Sequence, residues 1–119
     1  IELSPCSQQR DFLHVEELAR GYLMLARDCL RDELFDVFNL CSGVATRLDE
    51  LLLGICHSMG APPALLRFGA KEMRPGEAPI SFGAADKARE LLGWSVPPLA
   101  EMVQRFVAAE PSESAQSHA

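Results

Sequence analysis

At 119 residues, 48% of them apolar, the chain is about one domain long and can bury a modest core. Its 11 Lys and Arg against 17 Asp and Glu give a net charge of −6, which excludes a domain built mainly to coat nucleic acid or an anionic membrane, so any anion site must be local. The four cysteines form no C-x-x-C pair and each lies in or beside an apolar segment, which reads as reduced, mostly buried thiols of a cytoplasmic protein and not as a zinc site or a disulfide framework. No run approaches the ~18 apolar residues of a membrane span. No signal-peptide pattern opens the chain, and a first residue of Ile1 in place of Met leads us to expect sequence upstream.

Residues 1–3 are expected to end a strand, broken by Ser4, Pro5, Cys6 and Ser7, with a short extended segment over 10–15. From Glu16 the recurrence of Leu18, Ala19, Tyr22, Leu23, Ala26 and Leu30 predicts a helix with one apolar face; Glu16 and Glu17 suit its amino end, and Arg27 and Arg31 its carboxyl end. The Phe- and Val-rich segment 35–40 predicts a buried strand running into a turn at Ser42 and Gly43. Thr46 fits a helix N-cap with Asp49 reaching back, Leu48, Leu51, Leu52, Ile55 and Met59 make the inner face, and Gly60 closes that helix. Segment 64–68 reads as a strand and 69–79 as a loop. A short helix over 86–92 stops at Gly93, with Trp94 folding back on the core, and Pro98 opens a last helix from an N1-like position with Leu99, Met102, Val103, Phe106 and Val107 on one face. The polar tail 110–119 should fray. The layout is α/β in small units, with short strands and about four helices.

The glycines never fall in a G-x-x-G-x-x-G or G-x-G-x-x-G arrangement, so the pattern contains no turn for a dinucleotide pyrophosphate. Four residues after the only tyrosine, Tyr22, stands Ala26, so no Y-x-x-x-K proton-transfer pair can be assembled. We therefore expect no catalytic residue, no cofactor site and no metal site within this chain. His14, at the mouth of a helix, reads as a structural hydrogen-bonding residue.

Between Pro62 and Gly76, loop 69–79 and the segment leading into it are locally basic, with Arg67, Lys71 and Arg74 against Glu72 alone. An arginine on a loop stiffened by Pro75 and Pro79 suits a phosphate through two parallel N–H donors, and Glu77 three residues later suits the vicinal hydroxyls of a ribose. A solvated loop with ordinary surface charges is the bland alternative.

The segments R-D-F-L-H-V (10–15), V-F-N-L-C-S-G (37–43), T-R-L-D-E-L-L (46–52), R-P-G-E-A-P (74–79) and K-A-R-E-L-L-G-W (87–94) stand in the order and near the spacing of the extended short-chain dehydrogenase/reductase family, which the chain resembles over about residues 1–108. That family includes nucleotide-sugar epimerases, 4,6-dehydratases and 4-keto-reductases. The resemblance implies that residues 1–109 are the carboxy-terminal, substrate-binding subdomain of such an enzyme, the Rossmann half being absent. It implies Arg10 and Arg74 as diphosphate contacts and Glu77 as the ribose acceptor. Asp11 is implied as an orienting or capping residue, Asn39, Ser42 and Gly43 as structure behind the site, and Lys87, Leu91, Leu92 and Trp94 as packing. R-P-G-E and V-F-N-L-C-S-G look most like the GDP-sugar branch, whose members often carry G-N-L where this chain has Ser4, Pro5 and Cys6. In the parent enzyme the resemblance implies hydride exchange between NAD or NADP and sugar C4, catalytic Tyr and Lys in the Rossmann half, and a homodimer or tetramer joined largely through that half. The piece alone should be inactive, and monomeric or associated non-natively. A non-catalytic interaction or regulatory module that kept the fold is the competing reading, which a start codon just before Ile1 would favour.

Overall fold

The computed structural model describes residues 1–32 and 36–110, with the side chains of 29–32 outside that description. Three two-residue strands, β1 (Gln9–Arg10), β2 (Thr46–Arg47) and β3 (Ile80–Ser81), form one sheet in the order β2-β1-β3. β1 runs antiparallel to β2, with Arg10 opposite Thr46, and parallel to β3, with Gln9 opposite Ile80. Four α-helices are formed among the described residues, α1 (Val15–Asp32), α2 (Leu48–Ser58), α3 (Asp86–Leu92) and α4 (Leu99–Ala109), of which α2 packs on β2 and on α4, and α1 on α3. No described helix is long and apolar enough to cross a membrane.

The expected helices form where periodicity placed them, but two of their faces and one cap differ. α1 opens on His14, whose carbonyl accepts the Glu17 and Leu18 amides and whose Nδ1 accepts the Glu16 amide at 3.2 Å. Its inner side is Glu17, Gly21 and Met24, while Tyr22 and Leu23, expected inside, are 60% and 73% exposed. Trp94 is the cause. Its indole and Leu40 press so close to Gly21 that a Cβ there would lie 2.7 Å from each, so the helix turns its smallest residue inward. α2 begins one residue after Arg47, which makes no side-chain cap; Thr46 belongs to β2, and Asp49 pairs with Arg47 and does not reach back to Thr46. The orphan amides of Leu48 and Asp49 are satisfied instead by the carbonyls of Gln8 and Cys6, which ties α2 to the chain around β1. Met59, expected on the inner face, is the exposed C-cap residue. Pro98 is the N-cap of α4, its carbonyl accepting the Glu101 and Met102 amides. Gly60 and Gly93, both at positive φ, end α2 and α3 as expected.

The expected strands fare differently. Segment 36–40 forms no strand and pairs with no described strand, and Phe35 lies outside the described residues. Its groups go elsewhere: the Val37 carbonyl accepts from Lys87, and the Cys41 carbonyl accepts from Trp94 Nε1 at 2.8 Å. Segment 64–68 is not a strand either. Pro63–Leu65 is a 3₁₀ turn, after which Arg67 makes a single parallel bridge to Glu2, joining the two segments expected to be strands at their ends. Each segment is too short to carry a ladder, and Pro62 and Pro63 lack the amide that one requires.

The core is small. Ala85, Ala88 and Trp94 pack with Leu13, Met24, Phe38, Leu40 and Leu92, and Met102, Val103 and Cys56 are buried on α4 and α2. Cys6 and Cys56 are buried and Cys41 is half-buried, all free, whereas the side chain of Cys29 and the tail 111–119 lie outside the described residues.

Candidate functional site

β1 and β3 lie side by side, and their parallel register carries the end of loop 69–79 over Arg10. Arg10 Nη2 donates to Glu77 Oε1 at 3.0 Å, while its Nη1 donates to the carbonyls of Gln9 and Ala78 at 2.7 and 2.9 Å. Arg74, Pro75, Gly76 and Glu77 form a tight turn, with Pro75 at its second position, Gly76 at φ 76° in its third, and the Glu77 amide 3.4 Å from the Arg74 carbonyl. That is the chemistry of a type II turn, which only glycine takes at low cost in its third position. The turn sets Arg74 and Glu77 at its two ends.

Arg74 and Glu77 line a cleft of about 330 Å³ together with Glu2, Leu3, Ser4, Gln8, Lys71 and Glu72. Its opposite wall is the chain start, held by the Arg67 amide donating to the Ile1 carbonyl at 2.9 Å and the Lys71 amide donating to the Leu3 carbonyl at 3.0 Å. The structure thus brings Arg74 and Glu77 to one cleft and joins Arg10 to it through the Glu77 carboxylate. The loop is less basic than its sequence implied, because Arg67 pairs with Glu2 at 3.2 Å. Among the described residues Arg74 has no ion-pair partner. Gln8, which sequence reading passed over, is 8% exposed, and its Oε1 is buried without a hydrogen-bond partner. Such an orphan acceptor costs about 1–3 kcal/mol.

Behind the cleft, Asp11 ties together two loops, one at Ser42 and Gly43 and one at Gly83. Its carboxylate accepts the amides of Ser42 and Gly43 at 2.9 Å each and of Gly83 at 3.3 Å. Burial opposes its charge, but the bonds from Ser42, Gly43 and Gly83 outweigh it and hold the carboxyl below the usual range. The orienting role expected of Asp11 is therefore a matter of geometry. Gly83 must be glycine because a Cβ would lie 2.5 Å from Cys41 Sγ. Burial, followed by the Asp11 charge, pushes the Cys41 thiol up, which leaves it a poor nucleophile.

A second polar centre was missed by sequence reading. Glu17, 5% exposed, accepts from Arg105 Nη1 at 2.6 Å and Arg20 Nε at 3.0 Å, and Arg105 also pairs with Glu16. The Arg105 bonds hold the Glu16 and Glu17 carboxyls low. Arg20 lies over Trp94, 4.9 Å from the ring centroid, so the cluster binds α1, α4 and Trp94 together. With Glu17 and Arg105 separated by 88 positions in sequence, no local pattern could have revealed it.

Two further clefts lie elsewhere on the surface, the first apolar and the second mixed in lining. One of about 190 Å³ lies between α2 and α4, lined by Phe12, His14, Ile55 and Met102 among others. The other, about 400 Å³, lies between α1 and segment 38–41, lined by Leu18, Tyr22, Leu25, Phe38 and Leu40.

No family model matches the chain. It is 30% identical over 87 residues, 73% of its length, to a UDP-glucose 4-epimerase of Yersinia pestis, of which it covers 25%. Among solved structures it is similar to RMD from Pseudomonas aeruginosa complexed with NADPH, at TM-score 0.73 and 22% identity over 91% of this chain and 34% of that one. It is similar also to MoeE5 in complex with UDP-glucose and NAD, at TM-score 0.73 and 23% identity over 91% of this chain and 35% of that one. The chain spans about a quarter of the length of the curated relatives it matches. These relatives and neighbours are of the NAD-dependent epimerase/dehydratase kind, within the extended short-chain dehydrogenase/reductase family. The structural likeness establishes the small α/β architecture as a part of that fold.

Proposed function

We propose that this chain is the substrate-holding part of an NAD(P)-dependent nucleotide-sugar epimerase, dehydratase or reductase, and that the cleft between the chain start and loop 69–79 receives the nucleoside diphosphate. The observation that carries the reading is the Arg74–Glu77 turn, which presents an arginine without an ion-pair partner among the described residues and a carboxylate at the two ends of one rigid loop. Arg74 takes the diphosphate with its planar fork. Arg10 supports it from behind, its guanidinium held by Glu77 and two backbone carbonyls and released in part when Glu77 turns to the ribose hydroxyls. Holding the diphosphate fixes sugar C4 against a nicotinamide bound elsewhere in the parent enzyme, and such positioning is worth ~7–11 kcal/mol of barrier in favourable cases. The chain contributes orientation, and hydride and proton transfer belong to the cofactor-binding half.

R-P-G-E with Glu77, together with V-F-N-L-C-S-G, favours a GDP-sugar. A UDP-sugar is the second reading, favoured by the likeness to MoeE5 in complex with UDP-glucose. The exposed Tyr22 and Leu23, at the cleft between α1 and segment 38–41, suit cover by the cofactor-binding half. Titrating the full-length gene product with GDP and UDP tests the reading. Arg74→Ala should weaken the preferred nucleotide by more than tenfold, and unchanged affinity removes Arg74 from the site.

A further inference from the structure

We infer that Lys71 holds the second phosphoryl group of the diphosphate, the one farther from the ribose, and so sets the preference of the cleft for a nucleoside diphosphate over a monophosphate. The inference rests on the proposed function and deepens it. Lys71 lines the same cleft as Arg74 and Glu77. Lys71 and Arg74 are both exposed, and among the described residues neither side chain has an ion-pair or hydrogen-bond partner. The other arginines near the cleft are already engaged. Arg67 pairs with Glu2 at 3.2 Å, and Arg10 donates to Glu77 and to the carbonyls of Gln9 and Ala78. Lys71 and Arg74 are therefore the cations of the cleft left to meet the charges of two phosphoryl groups, and they stand on one loop.

Backbone bonds set the order of these groups along the cleft. The Lys71 amide donates to the Leu3 carbonyl at 3.0 Å, so the root of its side chain is fixed where the loop meets the chain-start wall. Arg74 and Glu77 are fixed at the two ends of the Pro75–Gly76 turn. Glu77, Arg74 and Lys71 thus follow one another from the turn toward the chain start, which is the order of ribose, first phosphoryl and second phosphoryl in a nucleotide. Lysine suits the last place. Its ammonium is a compact charge on a flexible stem and can follow a phosphoryl group whose position depends on the sugar attached to it, whereas the planar fork of Arg74 fixes the group next to the ribose. The carboxylates of the cleft make this charge necessary. Glu2 is held by Arg67 and Glu77 by Arg10, which leaves Glu72, next to Lys71 in sequence, as the cleft carboxylate without an ion-pair partner among the described residues. A monophosphate can rest on Arg74 alone, but a second phosphoryl group brings negative charge toward Glu72, and Lys71 offsets that repulsion.

The test is calorimetric titration of the full-length gene product with UDP, UMP, GDP and GMP, in the wild type, Lys71→Gln, Lys71→Arg and Arg74→Ala. Lys71 is exposed and its bond to Leu3 is made by the backbone, so both Lys71 variants should melt as the wild type does, and a change in affinity then reports the cleft. Lys71→Gln should weaken the preferred diphosphate about tenfold, the loss of one charge-assisted hydrogen bond, and the matching monophosphate less than about twofold. Lys71→Arg keeps the charge and should bind the diphosphate within about threefold of the wild type. Arg74→Ala should weaken both nucleotides. Unchanged diphosphate affinity in Lys71→Gln overturns the assignment of Lys71 and leaves the site on Arg74. So does an equal loss for diphosphate and monophosphate, which is the signature of a charge felt at a distance and not of a contact. Nucleotide binding insensitive to Arg74→Ala overturns the proposed site itself, and the place of Lys71 with it.

Discussion

The polar side chains of this protein divide into those that hold the fold and those that face the cleft. Asp11 belongs to the first group, accepting three loop amides behind the cleft. Asp11→Ala should therefore cost roughly 2–4 kcal/mol in urea denaturation, since it strands several amides at once. Asp11→Asn, which keeps an acceptor oxygen, should cost less. Asp11 and Glu17 also fix the acid limit. Both carboxyls are held below their ordinary value in the folded state, Asp11 by amide bonds that overcome burial and Glu17 chiefly by its bond from Arg105. A depressed folded pKa contributes stability that is present above the unfolded pKa, about 4, and is lost as pH falls through the folded value. The melting temperature should thus drop as pH falls below about 4. Glu17→Gln should lower stability at neutral pH and flatten that drop. Arg74 and Glu77 drew notice at this scale through the local excess of basic residues on a loop stiffened by Pro75 and Pro79, while the Pro75–Gly76 turn that sets them appears only in three dimensions; Arg10 had no reading from spacing and entered only through the family resemblance. Gln8 gave no signal in sequence, since its significance is a missing partner in three dimensions.

At the scale of elements, helices were readable and strands were not. A helix of 11 to 18 residues repeats its pattern often enough to be seen, as in α1, α2 and α4. Strands of two residues have no period at all, and β2 and β3 took their places through backbone bonds to β1. Periodicity also misplaced the inner face of α1. The stripe of Ala19, Tyr22, Leu23 and Ala26 is real, but Trp94 selects the neighbouring stripe through Gly21, the one position where the helix can approach the indole. Gly21→Ala tests this. Helix propensity alone favours Ala by about 1 kcal/mol, yet a Cβ 2.7 Å from Leu40 and Trp94 forces repacking that costs about 1–3 kcal/mol. The variant should melt lower than the wild type, with a red shift in the emission of Trp94, the sole tryptophan. A higher melting temperature with unshifted emission would show that the helix and the indole are not in close contact.

The molecule as a whole is loosely gathered for its length. Its Cα radius of gyration is 17.9 Å, against ~13.5 Å for a compact domain of this size. No side chain is buried below 2% exposure among the larger residues described, while Tyr22, Leu23, Val37 and Phe82 are all more than half exposed. Under the proposed function these apolar groups face the cofactor-binding half. The isolated chain should then associate weakly and without discrete stoichiometry in light scattering, and Leu23→Lys should reduce that association. A sharp dimer unaffected by Leu23→Lys would place the self-association elsewhere.

Under the proposed function one cleft, between the chain start and the turn carrying Arg74 and Glu77, holds a nucleoside diphosphate. Its most direct test is a titration of the isotopically labelled chain with GDP and UDP, followed by amide chemical shifts. Shifts should concentrate at residues 2–4, 8–10 and 71–78, with the cleft between α2 and α4 unmoved. Shifts centred on that apolar cleft, or none at millimolar nucleotide, would contradict it.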